Sequence, residues 1–323
     1  MNPRKHYALT LSAVLSSVLI IGCSMGTNDE PAGITWTAKN VPYGTNPQQT
    51  FNIILPEKDT VHAIVYIHGG FYIEGNKLWY PLFLTDFAKN NIFATMDYRL
   101  LDPVNNAVHM EDVLKDVNDA LAKIRETANK RGLTISDFIL VGHSSGGHIA
   151  LLYAYTGQIP ITACVSLAGP TDYTDDAGWS SLAYYGDTIP ERLAILSLFG
   201  TGLTGHPIQL TQEKWTEQSN YAEFKEYVEA ISPVMYVDTH AALPPTLLVH
   251  AQDDHIVPYS NSLRLNAALN KTSVPHTLIS PSGSGNNHML GGESGRTDSV
   301  DPITYQDQPW VEDAKEWMEL YLQ

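Results

Sequence analysis

The 323-residue sequence is short of cysteine and of positive charge. It contains 2 cysteines, and its 19 lysine and arginine residues stand against 35 aspartate and glutamate residues, which gives a formal net charge of −16. Nucleic-acid phosphates and anionic lipid surfaces repel so acidic a chain. We therefore expect no nucleic-acid partner and no electrostatic docking on a membrane. The solubility that an exported protein needs is a sufficient explanation of the acidity.

The hydrophobic run near the N-terminus is too short for a comfortable membrane span. Residues 4–6 are Arg-Lys-His, residues 9–21 are mainly apolar, and Cys23 follows in the sequence IIGC. This order is typical of an export signal. It resembles a bacterial lipobox, in which a small residue precedes a cysteine that is lipidated after cleavage, and Ser24 resembles the residue of cargo sent to the outer membrane. We expect a lipoprotein signal peptide at 1–22, lipidation of Cys23 and a flexible tether at 23–33.

This interpretation places the protein in the bacterial cell envelope, held to a membrane by its lipid anchor alone. The alternative is an ordinary secretory signal in which the cysteine occurs by chance. If Cys23 is lipidated, Cys164 is the only other cysteine, and the mature protein has no intramolecular disulfide. Cys164 lies in an apolar run, which predicts a small core residue.

Short apolar runs alternate with helical patterns from residue 34 to the end of the chain. This alternation predicts one α/β domain over 34–323, with a mostly parallel central sheet flanked by helices on both faces. We expect residues 34–55 to form an antiparallel hairpin at the sheet edge. The predicted strands lie at 61–67, 92–96, 136–141, 161–167, 246–250 and 276–279, and the predicted helices at 79–89, 111–130, 259–270 and 310–322, with another directly after residue 148.

The segment 171–242 interrupts this rhythm because it contains no predicted strand. We interpret it as a helical cap insertion that lies over the strand ends; an extended crossover helix with surface loops is the alternative. Its aromatic residues could line a pocket for an apolar substrate, although aromatic residues more often pack in a core. They are Trp179, Tyr184, Tyr185, Phe199, Trp215, Tyr221, Phe224 and Tyr227.

The sequence GHSSGG at 142–147 stands between a predicted strand and a predicted helix. A G-x-S-x-G pattern in that place is a nucleophile elbow, a turn so sharp that the serine takes a positive φ and only small residues fit beside it. The turn points the Ser144 hydroxyl out of the sheet, and the following helix directs its first N–H groups at developing negative charge. We therefore predict that Ser144 is a nucleophile.

A nucleophilic serine needs a base and an acid that orients the base. Asp253 and Asp254 follow a predicted strand, and either could be the acid. His288 is the base candidate, because it alone among 12 histidines lies in the loop after the last predicted strand. His143 and His148 flank the elbow, where the backbone is constrained and no acid is suitably placed.

The sequence HGGF at 68–71 ends another predicted strand and is the candidate oxyanion hole. Its glycines allow a tight turn with accessible backbone N–H donors. We expect the donors to come from Gly69, Gly70 or Phe71 together with Ser145, and His68 to brace the loop.

These motifs, with DYR at 97–99 and DDHIVP at 253–258, are similar to those of α/β-hydrolase esterases. The resemblance covers about residues 50–323. The closest groups are the hormone-sensitive-lipase-like branch and the feruloyl or acetyl esterase and arylformamidase-like branches. The resemblance implies a serine hydrolase that acts through an acyl-enzyme without cofactor or metal. It favours Asp254 as the acid, because the spacing D-x-x-V-P from Asp254 resembles that of related hydrolases.

The sequence departs from the lipase-like pattern at two places. The elbow has His143 and Ser145 where that branch usually has aspartate and alanine, and Phe71 replaces the third glycine of HGGG. Both departures weaken a lipase assignment, and the second favours small-acyl or aromatic esters. We predict a carboxylic-ester hydrolase with a small-molecule substrate. A peptidase of the prolyl-oligopeptidase type and a non-catalytic binding protein on a hydrolase fold are the alternatives.

Overall fold

The computed structural model of the chain describes residues 34–57, 59–102, 105, 107–174, 189–208, 225–238, 242–281, 287–294, 302–305 and 307–323. The predicted signal peptide, Cys23 and the tether lie outside the described residues. Among the helices that the model describes, none is long and apolar enough to cross a membrane.

An eight-stranded sheet forms the centre of the molecule, in the order β1-β2-β4-β3-β5-β6-β7-β8. The strands β3 to β8 pair in parallel, which confirms the predicted mostly parallel sheet. Their bounds are Ala38–Pro42 (β1), Thr50–Ile54 (β2), Thr60–Ile67 (β3), Ile92–Met96 (β4), Thr134–His143 (β5), Ala163–Leu167 (β6), Thr246–Val249 (β7) and His276–Ile279 (β8). A separate antiparallel pair consists of Glu293–Ser294 (β9) and Ile303–Thr304 (β10).

The sheet begins with the hairpin that the sequence predicts for residues 34–55. The strands β1 and β2 pair antiparallel, and β2 continues antiparallel onto β4. Every residue of β4, β6 and β7 is buried, because helices cover both faces of the sheet. Cys164 on β6 is one of these core residues, and its burial raises the pKa of its thiol.

Helices pack on both faces of the sheet. The first two, Met110–Asn129 (α1) and Ser145–Thr156 (α2), bury apolar residues against one face. The C-terminal helix Pro309–Glu319 (α6) and the 3-10 helix Leu82–Lys89 cover the other face. The remaining helices are Ile189–Thr204 (α3), Lys225–Ala230 (α4), the 3-10 helix Pro233–Tyr236 and Ser260–Leu269 (α5).

Two predicted elements differ from the structure. The helix predicted at 79–89 is a 3-10 helix that begins only at Leu82, because Pro81 disfavours a helical conformation at Tyr80. The strand predicted at 246–250 ends at Val249, so His250 lies beyond the strand end instead of within it. This second difference moves a buried histidine to the edge where the site residues lie.

The described part of the segment 171–242 contains α3, α4 and a 3-10 helix, and no strand. The helix α3 packs against α1, and the 3-10 helix packs against α2. Phe199 and Tyr227 are half-buried and contact the core, so these two aromatic residues serve packing. The other aromatic residues that the sequence singles out in this segment lie outside the described residues. The cap bounds therefore stay a prediction.

Candidate active site

Ser144 stands at a strained turn between β5 and α2. Its φ is +54° and its ψ is −124°, a conformation that L residues adopt only under constraint. A Cβ atom built on Gly142 would lie 2.1 Å from the Gly146 carbonyl oxygen, and one on Gly146 would lie 2.1 Å from the carbonyl oxygen of Ile67. Both flanking glycines are therefore required by close backbone contacts, as a nucleophile elbow demands.

His288 lies between Ser144 and Asp254. The Ser144 hydroxyl lies 2.9 Å from Nε2 of His288, and Nδ1 of His288 lies 2.8 Å from Oδ2 of Asp254. The carboxylate fixes the tautomer, since Nδ1–H must donate to it and Nε2 is then free to accept from the serine. All three residues are buried, and they follow the carboxyl ends of β5, β7 and β8.

The structure distinguishes the two neighbouring aspartates. Asp253 is exposed, whereas Asp254 is buried and its Oδ1 accepts the backbone N–H groups of Ile256 (2.8 Å) and Val257 (2.9 Å). The bond to Val257 closes a short turn, which is the physical reason for the spacing D-x-x-V. Burial by itself would raise the pKa of Asp254, but hydrogen bonds from His250 and His288 outweigh it and hold the pKa well below its usual range.

The sequence HGGF lies directly against the elbow. A Cβ atom on Gly69 would be 2.9 Å from the His143 carbonyl oxygen and 3.1 Å from Cβ of Ser144. Gly70 has φ +117°, and a Cβ there would come within 2.2 Å of the Glu74 carbonyl oxygen. Phe71 has φ +52°, so this residue occupies a left-handed conformation where a glycine would be relaxed. Ser145 opens α2 on the other side of Ser144.

His68 braces this loop, as the sequence suggests. Its ring stacks on Tyr98 with centroids 4.4 Å apart, and its Nδ1–H donates to the Gly69 carbonyl at 2.7 Å. The Tyr98 hydroxyl donates to the His68 carbonyl at 3.1 Å. Burial lowers the pKa of His68. The neighbouring Arg99 is held by Asp116, so the sequence DYR after β4 supports the loop structurally.

The sequence analysis missed two histidines that contact the site. His143 donates from Nε2–H to the His288 carbonyl at 2.9 Å, and its ring lies 5.1 Å from that of His288. Burial, followed by the charge of His288, lowers the pKa of His143 to about 4, so the ring is neutral near pH 7. His250 contacts Asp254 at 3.1 Å. His143 flanks the elbow, but its partner lies in the loop after β8, and the strand predicted to end at residue 250 placed His250 inside a strand instead of in the loop of Asp254.

A buried polar network ties the loop that follows Gly70 to the rest of the fold. The Tyr72 hydroxyl donates to Nδ1 of His148 at 2.9 Å and accepts from the Tyr173 hydroxyl at 2.8 Å. This direction is fixed because Nε2–H of His148 donates to the Ile231 carbonyl at 2.6 Å. Burial lowers the pKa of His148 to about 4. The network joins the candidate oxyanion loop, the elbow helix α2 and the segment after β6.

The loop that carries His288 is anchored from the opposite face of the sheet. Trp310 on α6 donates from its indole N–H to the Leu290 carbonyl at 3.0 Å. Within the described ranges, no group of three or more His, Cys, Asp or Glu side chains is arranged to hold a metal ion. Independently of this, the side chains at the site are a serine, a base and an acid, beside a candidate backbone donor loop.

The family model BD-FAE matches residues 51–269 of the chain, a range that contains Ser144 and Asp254 and ends before His288. An isoprenylcysteine alpha-carbonyl methylesterase of Arabidopsis thaliana is 24% identical over 254 residues, which are 76% of this chain and 55% of that protein. The chain thus spans about half the length of this curated relative.

Two solved esterases have the same fold as this chain. A truncated carbohydrate esterase from gut microbiota superposes with a TM-score of 0.63 at 19% identity, over 91% of this chain and 99% of that one. Esterase B from Lactobacillus rhamnosis, inhibited by a C4-C4 tributyrin phosphonate, superposes with a TM-score of 0.63 at 17% identity, over 98% of this chain and 92% of that one. The fold class expected from the sequence is therefore confirmed.

Proposed function

The chain belongs to the BD-FAE family, and from this premise we propose that it is a serine hydrolase of carboxylic esters that acts through an acyl-enzyme. The observation that carries the proposal is the continuous hydrogen-bonded series from Ser144 through His288 to Asp254. Nucleophilic acyl transfer needs these three groups in this order: a serine, an imidazole with its proton on Nδ1, and a buried carboxylate.

In the first half-reaction, the Ser144 oxygen attacks the ester carbonyl carbon while Nε2 of His288 accepts the serine proton. Asp254 stabilises the imidazolium that forms, since its Oδ2 lies 2.8 Å from Nδ1. The negative charge on the carbonyl oxygen is bound by backbone N–H groups, which we assign to Gly69, Gly70 or Phe71 and to Ser145. His288 then returns the proton to the leaving alcohol, and the acyl group stays on Ser144.

Water completes the second half-reaction. His288 accepts a proton from the water, whose oxygen attacks the acyl carbon, and then returns that proton to Ser144 as the carboxylic acid leaves. Every proton transfer passes through Nε2 of His288, which explains why its Nδ1 is fixed by a carboxylate on the opposite side.

We propose small-acyl or aromatic esters as the substrate class. The solved proteins with this fold include a carbohydrate esterase and an esterase inhibited by a tributyrin phosphonate, and the curated relative is a methylesterase. On this chain, the support is Phe71, a large residue two positions after Gly69, the glycine that adjoins the elbow. We infer that a side chain of this size in the oxyanion loop favours a short or flat acyl group.

The test is hydrolysis of p-nitrophenyl esters from acetate to laurate by the full-length chain. We expect the highest kcat/KM for acetate and a decline with chain length. Ser144→Ala is expected to lower kcat by about 10⁶-fold while the unfolding midpoint stays the same. Ser136→Ala, at the exposed start of the same strand, is the matched control and keeps full activity.

Three results would contradict the proposal. Unchanged ester hydrolysis in Ser144→Ala would show that Ser144 is not the nucleophile. Hydrolysis of dipeptide amides without ester hydrolysis would favour the peptidase alternative. Failure of Ser144 to react with a fluorophosphonate would favour the binding-protein alternative.

We also propose that Cys23 carries a lipid and that this anchor is the protein's only membrane attachment, at the bacterial outer membrane and facing either the periplasm or the exterior. The support is the order of the basic start, the apolar run and the sequence IIGC. Incorporation of an alkyne-labelled fatty acid that is lost in Cys23→Ala, and kept in Cys164→Ala, is the expected result. Equal labelling of both variants would contradict the anchor.

A further inference from the structure

A second histidine, His250, contacts the same carboxylate oxygen of Asp254 as His288 does. His250 follows β7 and is fully buried. Its Nε2 lies 2.9 Å from the Val257 carbonyl oxygen and 3.1 Å from Oδ2 of Asp254, and its Nδ1 lies 2.7 Å from the Ser262 hydroxyl on α5. The Tyr259 ring stands edge-on to it at 5.7 Å.

These partners decide which ring nitrogen of His250 carries the proton. A carbonyl oxygen can only accept, so Nε2 must be protonated. In the neutral ring, Nδ1 then accepts from the Ser262 hydroxyl. The Nε2–H of His250 therefore lies between the Val257 carbonyl and the Asp254 carboxylate, and the Ser262 hydroxyl holds the other side of the ring.

The carboxylate of Asp254 is held at four points. Its Oδ1 accepts two backbone N–H groups, its Oδ2 accepts Nδ1–H of His288, and Nε2 of His250 lies 3.1 Å from the same Oδ2. Both carboxylate oxygens are therefore held by groups of the protein. The position of Oδ2 is consequently set between two imidazole rings, one that takes part in proton transfer and one that does not.

We propose that His250 is a positioning residue for the reaction: it holds Oδ2 of Asp254 at the place from which that oxygen orients and stabilises His288. The Val257 carbonyl holds His250 in the required tautomer, and Ser262 holds its ring in place. This inference rests on the proposed function. His250 touches neither the serine nor the substrate, so its effect passes through Asp254 alone.

The first test compares His250→Leu with His250→Gln. Leucine keeps the approximate volume and removes the donor, whereas the glutamine amide can place an N–H near the position of Nε2. A hydrogen bond to a charged group supports an expected loss of about tenfold to a hundredfold in kcat for leucine, with KM nearly unchanged. We expect glutamine to restore most of the loss. Rates are expressed per active site titrated with a fluorophosphonate, which removes any effect of misfolded protein.

The double variant His250→Leu with Ser262→Ala separates positioning from packing. Removing both partners avoids an unpaired buried hydroxyl, so this variant is expected to unfold close to the wild-type midpoint and still to show the low kcat. Recovery of kcat in the double variant would mean that the loss came from the orphaned Ser262, and the proposal would be overturned. The proposal would also be overturned if His250→Leu kept the wild-type kcat, or if His250→Leu and His250→Gln lost kcat equally.

Proton NMR of the full-length chain with ¹⁵N-labelled histidine tests the geometry without any substrate. We expect His250 as the Nε2–H tautomer, and we expect the low-field Nδ1 proton of His288 to shift in His250→Leu but not in His250→Gln. An unmoved His288 resonance in both variants would overturn the proposal. If these shifts occur but the wild-type chain hydrolyses no ester, the contact of His250 with Asp254 is supported and only the proposed function is refuted.

Discussion

The acid loop and the oxyanion loop meet at Ser144, but the chain holds them in different ways. The acid loop, residues 250–257, is fixed by contacts within itself: Asp254 bonds the backbone of Val257, and His250 bonds the carbonyl of the same valine. The oxyanion loop, residues 68–75, depends on distant partners, because Tyr72 contacts His148 and Tyr173, which are 76 and 101 residues away. A local turn can position a side chain, whereas a loop that must present its backbone needs support from other elements.

The largest effect is expected from a substitution of Asp254, at the centre of the acid loop. Asp254→Asn keeps an acceptor for the two backbone N–H groups, but it turns an amide N–H toward Nδ1–H of His288 and so favours the wrong tautomer. We expect kcat to fall by about 10⁴-fold with an intact fold. Steady-state kinetics and the unfolding midpoint are the measurements. Asp253→Asn, one residue away and exposed, should stay within about twofold of wild type.

The next largest effect on kcat is expected from a substitution of Gly70 in the oxyanion loop. Gly70→Ala places a Cβ within 2.2 Å of the Glu74 carbonyl oxygen at φ +117°, so the backbone must move. Loss of one oxyanion donor supports an expected fall of about 10²- to 10³-fold in kcat. Gly132→Ala is the control, since it also has a positive φ but open space around it, and it should cost about 1 to 2 kcal/mol of stability without loss of kcat. Equal kinetics for the two variants would contradict the loop assignment.

A smaller effect tests the distant support. Tyr72→Phe removes the hydroxyl that joins His148 and Tyr173, so the buried Nδ1 of His148 loses its donor. We expect about 1 to 3 kcal/mol less stability, measured by urea unfolding, and a decrease in kcat with little change in KM. Adding Tyr173→Phe should cost less than the sum of the two single changes, because the hydroxyls are one unit. Additive losses would show that the network is not coupled.

The smallest expected effect is a loss of stability that is absent at neutral pH and appears only on acidification. The folded-state pKa of His143 and of His148 is about 4, below the ordinary value of 6.5, so the unfolded chain binds more protons between these values. Stability is therefore full above pH 6.5 and is lost as the pH falls from 6.5 to about 4, by a few kcal/mol for each histidine. Urea midpoints at pH 7, 5.5 and 4.5 measure this loss. His148→Gln should flatten the dependence, and an unchanged slope would contradict it.

Sequence reasoning succeeded where the signal is local. The alternation of apolar runs and helical patterns fixes the mostly parallel sheet, and the small residues around Ser144 fix the elbow, since both depend on neighbours within a few positions. It predicted the helix start too early, at residue 79, because Pro81 prevents the residues before it from joining the helix that begins at Leu82. It also predicted β7 one residue too long, because the apolar run continues up to His250. Residues 282–286, next to His288, lie outside the described residues.

The amino-acid sequence by itself determined the α/β architecture, the elbow at Ser144 and the short set of candidates for base and acid, because hydrophobic periodicity and backbone sterics act over short stretches of chain. Only the tertiary structure decided that Asp254 and not Asp253 faces His288, that His143 contacts the loop of His288, and that Tyr72 is tied to His148. Such contacts form where the parallel strands end side by side, and no spacing along the chain records which loops the sheet brings together there.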